Sequence, residues 1–296
     1  MRVTSTTMHQ TVLNSLQTSL GRVAKTQAEL ASGRRINNYS DAPADASAAI
    51  RLRGEESDWT SYGKAADDGI AWLNTQDQAL QDMSSLLRRV RELSVLGASS
   101  LNDATSREAM AAEIDGIKEE MAGIANASYQ GHQVFGGFAA KAVTNVGGTF
   151  TFTGDTGVIN RRITPDMVVQ VNGNGEAIFG FGAGQTDVFS ALTTVSAHLR
   201  SANTAALGAA DLTMLDASSG YVTNGLAAVG ARGNVMEAAK TTGSSQISVL
   251  KDQRSSLEDV DVAATALDMQ LAQTGYQAAL AAAARLQMPT LVDFLR

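Results

Sequence analysis

Cysteine is absent from the 296 residues, proline occurs three times, and aromatic side chains make up 5% of the chain. Without cysteine there is no disulfide framework, no thiolate nucleophile and no zinc site built from sulfur. With so little proline, long stretches escape the residue that breaks a helical hydrogen-bond ladder, and abundant Ala, Ser, Thr, Gln and Leu favour long helices over a compact aromatic core. Apolar runs are short as well. The longest, residues 278–284, is rich in alanine and far below the ~20 residues that span a bilayer, so no membrane insertion is expected. Residues 1–8 carry one positive charge but no continuous apolar stretch, which leaves a cytosolic protein or one exported without a secretory signal. Basic residues are outnumbered 23 to 30, for a net charge of −7, so the clustered Lys and Arg of a nucleic-acid surface are missing and no nucleic-acid partner is expected.

What is present is helical periodicity at both ends. Leu13, Leu16, Leu20, Val23, Gln27 and Leu30 advance by threes and fours, which keeps one helical face toward a partner. Leu250, Leu257, Ala264, Leu271 and Ala278 recur every seventh residue, with Val260, Leu267, Thr274 and Ala281 three places after the first four. Leucines at helical spacing usually form ordinary core. Two helices cannot enclose a wide core, however, and the alanine-rich C-terminal stripe buries little area per residue, so the pair is expected to be stabilised by neighbouring molecules. The fold expected is mainly α: an elongated antiparallel helical rod with N- and C-terminal coiled-coil helices and a small inserted β-rich domain. Its parts are residues 1–40 with 255–296 as the terminal coiled coil, 41–137 with 186–254 as the rod, and 138–185 as the insert. Leu13, Leu16, Leu20, Val23 and Leu30 are expected to pack on Leu257, Val260, Leu267 and Leu271, and Leu280, Leu291, Phe294 and Leu295 extend the candidate assembly interface.

Local signals place the elements. Thr7 to Gln10 has the form of a capping box and opens a first helix to about Ser32; Gly33 fits the left-handed position after it, with Arg34 and Arg35 near the negative end of the dipole. Pro43 suits the start of a second helix, whose apolar period runs to Leu93, and Thr105 to Glu108 reads as a second capping box. The alternation at residues 149–153 predicts a strand, and Asn172-Gly173-Asn174-Gly175 between two apolar runs predicts a hairpin turn. Asp187 is a candidate N-cap, and from Leu212 to Leu286 no proline interrupts a final helix, although Gly220, Gly225, Gly230, Gly233, Gly243 and Gly275 each weaken it by ~1 kcal/mol relative to alanine.

No catalytic, metal or cofactor site is expected. His9, His132 and His198 are scattered without spaced carboxylate companions. Residues 180–184, a Gly-Phe-Gly-Ala-Gly run, lack the strand-turn-helix context that holds phosphate. The acids Asp67-Asp68 and Asp259 with Asp261 fall in helical patterns rather than on a tight calcium loop. An enzyme built on the β-rich insert would need a nucleophile, a base and an orienting group, and its residues do not supply them. A soluble signalling coiled coil is the rival structural reading.

Several stretches together resemble one family. Ala31-Ser32-Gly33-Arg34-Arg35-Ile36-Asn37, followed by Asp41-Ala42-Pro43-Ala44-Asp45, is similar to the segment that joins the terminal coiled coil to the rod in bacterial flagellins and their axial relatives, which marks Gly33, Arg34, Ile36, Asn37 and Asp41 as a domain-junction motif. Residues 126–131 and 134–137 resemble the family's Asn-Gly-x-x-Leu-Phe region, with Gln130 where asparagine is usual; residues 229–234 and the apolar ending 291–296 also match. The short insertion and the ending 288–295 resemble a junction member of the family more than a filament flagellin, with a filament subunit as the alternative. The resemblance implies a secreted, non-enzymatic part of the flagellum at the hook–filament junction, exported through the type III channel with a cytosolic chaperone on its C-terminal helix. It further implies a ring of such subunits between the first hook-associated protein and flagellin, with the terminal helices inside and the insert outside.

Overall fold

The computed structural model describes residues 5–99 and 102–286. The chain divides into two compact units, Met1–Asp58 with Gln246–Arg296, and Trp59–Ser245. Among the described residues the chain runs through α1 (Ser5–Ser32), α2 (Pro43–Gly97) and α3 (Ala104–Ala125), and then a run of short strands that precedes the remaining helices. α2 opens on Pro43 as expected, because proline lacks only an amide that the first turn would leave unused. α1 begins at Ser5, so Thr7 lies inside the helix and does not cap it. The second capping box is also displaced. Asp103, extended at φ −79°, ψ 171°, takes the Ser106 amide at 2.7 Å, and Glu108 reaches across to Arg200 at 3.0 Å instead of back to the helix start. A carboxylate two residues upstream takes the capping role in place of the hydroxyl.

Six strands form three antiparallel pairs: β1 (Ser128–Tyr129) with β2 (His132–Gln133), β3 (Val143–Val146) with β4 (Thr149–Phe152), and β5 (Asn160–Arg162) with β6 (Val168–Gln170). The first two pairs close on two-residue turns with left-handed φ at both positions, Gln130 (48°) with Gly131 (83°) and Gly147 (61°) with Gly148 (87°), the conformation whose twist suits a tight hairpin. That conformation explains why asparagine is usual at position 130: a glutamine there carries a steric cost. Its Nε2 offsets part of it by donating to Asp68 at 3.1 Å and to the Tyr129 hydroxyl at 3.0 Å.

The hairpin expected at residues 172–175 does not form. Asn174 caps a short helix, α4 (Gly175–Ile178), and Asn172 is buried, accepting the Ile159 amide at 2.8 Å and donating to the Gly157 carbonyl at 2.7 Å. Asn-Gly pairs serve caps as well as turns, and here β6 has already paired with β5, so no second strand remains to receive a hairpin. Asp187 does cap α5 (Val188–Arg200), accepting from the Ser190 amide at 2.9 Å, and α6 (Thr204–Leu207) leads into α7 (Ala210–Glu258) and α8 (Val262–Leu286).

The core of the second unit joins Leu80, Met83, Leu87 and Val90 of α2, Ile114 and Met121 of α3, Leu192, Val195 and Leu199 of α5, and Leu215, Val222, Val229 and Met236 of α7. Aromatic scarcity did not prevent an aromatic cluster. Seven of the eight phenylalanines lie in that unit and six of them cluster, with Phe150 stacked on Phe189 at 5.0 Å, Phe135 edge-on to Phe179 at 5.3 Å, and Phe152 on Phe181 at 5.8 Å. Composition averages over the chain, whereas these residues are concentrated where β4 and the loop before α5 pack. Asn126, at the end of α3, ties that helix to β3: it accepts the Ala142 and Val143 amides and donates to the Val143 carbonyl at 2.8 Å.

The final helix is interrupted. Residues 259–261 leave the helical path between α7 and α8, and Arg34 forms an antiparallel bridge with Asp259. Asp261, expected on a solvated helix face, instead caps α8 through the Ala263 and Ala264 amides at 2.9 and 3.1 Å. Neither glycine nor proline marks this break; backbone pairing with a distant segment makes it.

Candidate assembly surface

α1 packs against α8 in the first unit. The α1 side of the seam is Val12, Leu16, Ser19, Val23, Thr26 and Leu30; the α8 side is Thr265, Met269, Ala272, Tyr276, Ala279 and Ala283, again alternating by threes and fours. Leu16, Val23 and Leu30 therefore lie on the seam, and Leu257 and Val260 are half-buried just before it. The other expected members are not engaged: Leu13 is 57% exposed, Leu20 51%, Leu267 60%, Leu271 63% and Leu280 43%. Leu291, Phe294 and Leu295 lie outside the described residues.

The reason is one of phase. The heptad beginning at Leu250 was carried through residues 259–261, which are not helical, so α8 restarts with a different rotation. At ~100° per residue, Leu267 and Leu271 fall on the face of α8 turned away from the seam, while Leu13 and Leu20 flank it on α1. α1 thus brings Leu16, Val23 and Leu30 against a side of α8 rich in Ala and Thr, while Leu13, Leu20, Leu267, Leu271 and Leu280 stay exposed.

This unit has little interior of its own. Its buried apolar residues among those described are Ala46, Ala49, Leu52, Leu250, Ala272 and Ala283, four of the six being alanine. Tyr39, Ile50, Val249 and Val262 join the five leucines among its exposed large apolar side chains. Each fully buried leucine contributes ~1.5–3 kcal/mol, which alanine cannot match.

The junction motif is built around the bridge. Gly33 adopts φ 69°, its carbonyl accepts the Val260 amide at 3.1 Å, and the Arg35 amide donates to Glu258 at 2.7 Å. Asp41 accepts the Asn38 amide at 2.9 Å and closes the loop before α2; Asn37 donates to the Arg34 carbonyl at 3.3 Å; Ile36 is half-buried. Arg35, rather than Arg34, clamps the segment through Asp45 at 2.7 Å and the Leu257 carbonyl at 2.8 Å.

Sequence reasoning missed a charge ladder beside the motif. Glu258, 5% exposed at its side chain, pairs with Arg53 at 2.7 Å and Arg254 at 3.4 Å, and Glu56 pairs with Arg254 and Lys251. The i, i+4 spacing of Arg254 and Glu258 was visible, but the Arg53 partner, 205 residues away, was not. Elsewhere, His132 stacks on Trp72, and His198 Nδ1 lies 2.8 Å from the buried Asp211, so both described histidine side chains serve packing and local bonding. Among the described residues no cluster of His, Asp or Glu could hold a metal ion, and no helix is long and apolar enough to cross a membrane.

The chain is similar to proteins of the bacterial flagellum. The chain is 22% identical to flagellar hook-associated protein 3 of Escherichia coli, over 94% of each chain. It is 26% identical to flagellin of Listeria innocua over 83% of this chain and 82% of that one. For several curated flagellins, such as that of Clostridium tyrobutyricum (29% identical over 40% of this chain), the match spans about a third, 32%, of their length. The fold is similar to that of the flagellar junction protein FlgL from Legionella pneumophila, with a TM-score of 0.61 over 71% of this chain and 99% of that one at 14% identity. The models for the bacterial flagellin N-terminal helical region and C-terminal helical region match residues 3–140 and 212–295, and the chain belongs to the bacterial flagellin family.

Proposed function

We propose that this protein is a structural adaptor of the flagellum, a hook-associated junction subunit that joins the hook to the flagellin filament and has no catalytic role. The observation that carries the reading is the first unit's thin interior: four of its six buried apolar side chains among the described residues are alanine, while five leucines remain exposed. Such a unit gains its missing core from neighbours, and contacts repeated around an axis must be heterologous, one face of a copy meeting a different face of the next. Resemblance in length and fold to hook-associated protein 3 supports the junction over the filament.

In this reading residues 1–40 with 255–296 assemble, 41–137 with 186–254 support them, and the β-rich insert 138–185 is free to vary. Gly33, Arg34, Ile36, Asn37 and Asp41 fix the path of the chain between assembling and supporting segments. Partners are further copies in a ring, the first hook-associated protein on one side and flagellin on the other. Before assembly, an export chaperone covers the apolar face of the C-terminal helix, and the destination is outside the cell at the hook–filament junction.

Electron microscopy of a strain lacking the gene tests this. Hooks without filaments, with flagellin shed into the medium, are expected. Loss of the flagellin itself would make the protein a filament subunit, and normal filaments would refute both.

A further inference from the structure

Asp268 is the only acidic residue between Val262 and Leu286. It is exposed, neighbours the exposed Leu271 at i+3, which in turn adjoins the exposed Leu267, and has no hydrogen-bond or ion-pair partner among the described residues. A lone carboxylate in an apolar patch that is to be buried must find a cation, because an unpaired charge cannot be desolvated cheaply.

A fitting cation stands at the junction of the same unit. The Arg34 guanidinium is likewise without a partner among the described residues, since Arg34 engages its neighbours only through its backbone. It lines a concavity of 170 Å³ whose walls include Ile36, Tyr39 and Ile50 and whose charged side, Arg53 with Glu258, is already satisfied. Tyr39 and Ile50 are 71% and 50% exposed. The cavity thus offers one free positive charge beside Ile36, Tyr39 and Ile50, with Asn37 and Asn38 completing its rim, and α8 offers one free negative charge beside Leu271.

The pair is not closed within the single chain. Arg34 is bridged to Asp259, and Asp268 lies six residues, roughly 9 Å, beyond the first residue of α8 at ~1.5 Å per residue. Building on the reading of this protein as a ring-forming subunit, we propose that the Leu267–Asp268–Leu271 face of one copy docks into the junction cavity of a second, with Asp268 on Arg34 and a leucine against Ile36 and Ile50. This is a heterologous contact, able to propagate around a ring, and the bidentate fork of arginine gives it register.

The cysteine-free chain permits a direct test. Full-length protein carrying both Arg34→Cys and Asp268→Cys is expressed in the deletion strain, and flagella are sheared off, treated with a short flexible bismaleimide that spans the gap left by the lost arginine side chain, and run under denaturing conditions. Dimers and higher multimers are expected from the double variant and from neither single one. A charge-exchange set runs beside it: Arg34→Asp and Asp268→Arg each lower recovery in sheared flagella by about tenfold, because like charges now meet, and the two combined restore it. Normal recovery of the double cysteine variant without cross-linked species, or failure of the combined exchange to rescue, overturns this docking while leaving the junction role intact. Absence of the unaltered protein from sheared flagella overturns the junction role and the docking with it.

Discussion

Replacing Leu20 and Leu267 by aspartate separates folding from assembly. Both side chains are more than half exposed in the single chain, so the double variant forfeits only the smaller, buried part of each and should cost the isolated protein about 1–3 kcal/mol. For a chain of this size that is a shift of roughly 3–8 °C in melting temperature. Assembly is a different matter. Full burial of a leucine contributes ~1.5–3 kcal/mol, and somewhat more than half of each surface remains to be buried, so each contributes ~1–2 kcal/mol at a subunit contact. Losing both costs about 2–4 kcal/mol per subunit, or roughly 30- to 700-fold in affinity, before the desolvation of two carboxylates is counted. The assay pairs circular dichroism melting of the purified variant with counts of filamented cells and of flagellin released into the medium. A cooperative melt lowered by no more than several degrees, with almost no filaments, is expected. Normal filament counts, or a melting temperature lowered by much more than ~10 °C, would refute the assignment of these leucines to an outward contact.

Three further outcomes follow from single features. Gly220 and Gly230 lie in α7 with open space where a Cβ would stand, so Gly220→Ala and Gly230→Ala should each stabilise the isolated protein by ~0.5–1 kcal/mol in urea melts. Asp103→Ala removes the cap of α3 and should cost ~1 kcal/mol, whereas Thr105→Ala, at the position the sequence favoured, should cost less. Burial pushes the Asp115 carboxyl up, but Arg200, Lys118 and Ser196 together hold it below its ordinary value. Its native form therefore binds fewer protons than the unfolded chain, so its contribution is present above about pH 3.9 and is lost as pH falls through the lowered native value. Asp115→Asn should flatten that part of a stability-against-pH curve, and an unchanged slope would remove Asp115 from the account.

The pattern of long helices was legible because 3.6-residue periodicity is a local property, and so were the Gly33 turn, the Pro43 start, the Asp187 cap and the Thr149 strand. Non-local causes were not legible. The break at residues 259–261 is imposed by pairing with residues 33–35, and missing it rotated the expected α8 stripe onto the wrong face. The apolar stripe on α1 was half right for a related reason: Leu16, Val23 and Leu30 meet α8, but Leu13 and Leu20 belong to a second, flanking stripe that one chain leaves uncovered. Spacing alone cannot distinguish a seam within a chain from a surface awaiting another. The Arg53–Glu258 pair and the six-phenylalanine cluster join residues too far apart in sequence for any periodic signal to connect.

The central claim is that α1 and α8 become firm only when other subunits cover them. Amide hydrogen exchange, read segment by segment on the free protein and on intact flagella, measures this directly. The account predicts rapid exchange across residues 10–30 and 262–284 in the free protein, slow exchange across residues 80–93 in both states, and slow exchange of the terminal helices only in the assembled one. Equal, slow exchange of α1, α8 and the α2 core in the free protein would contradict it.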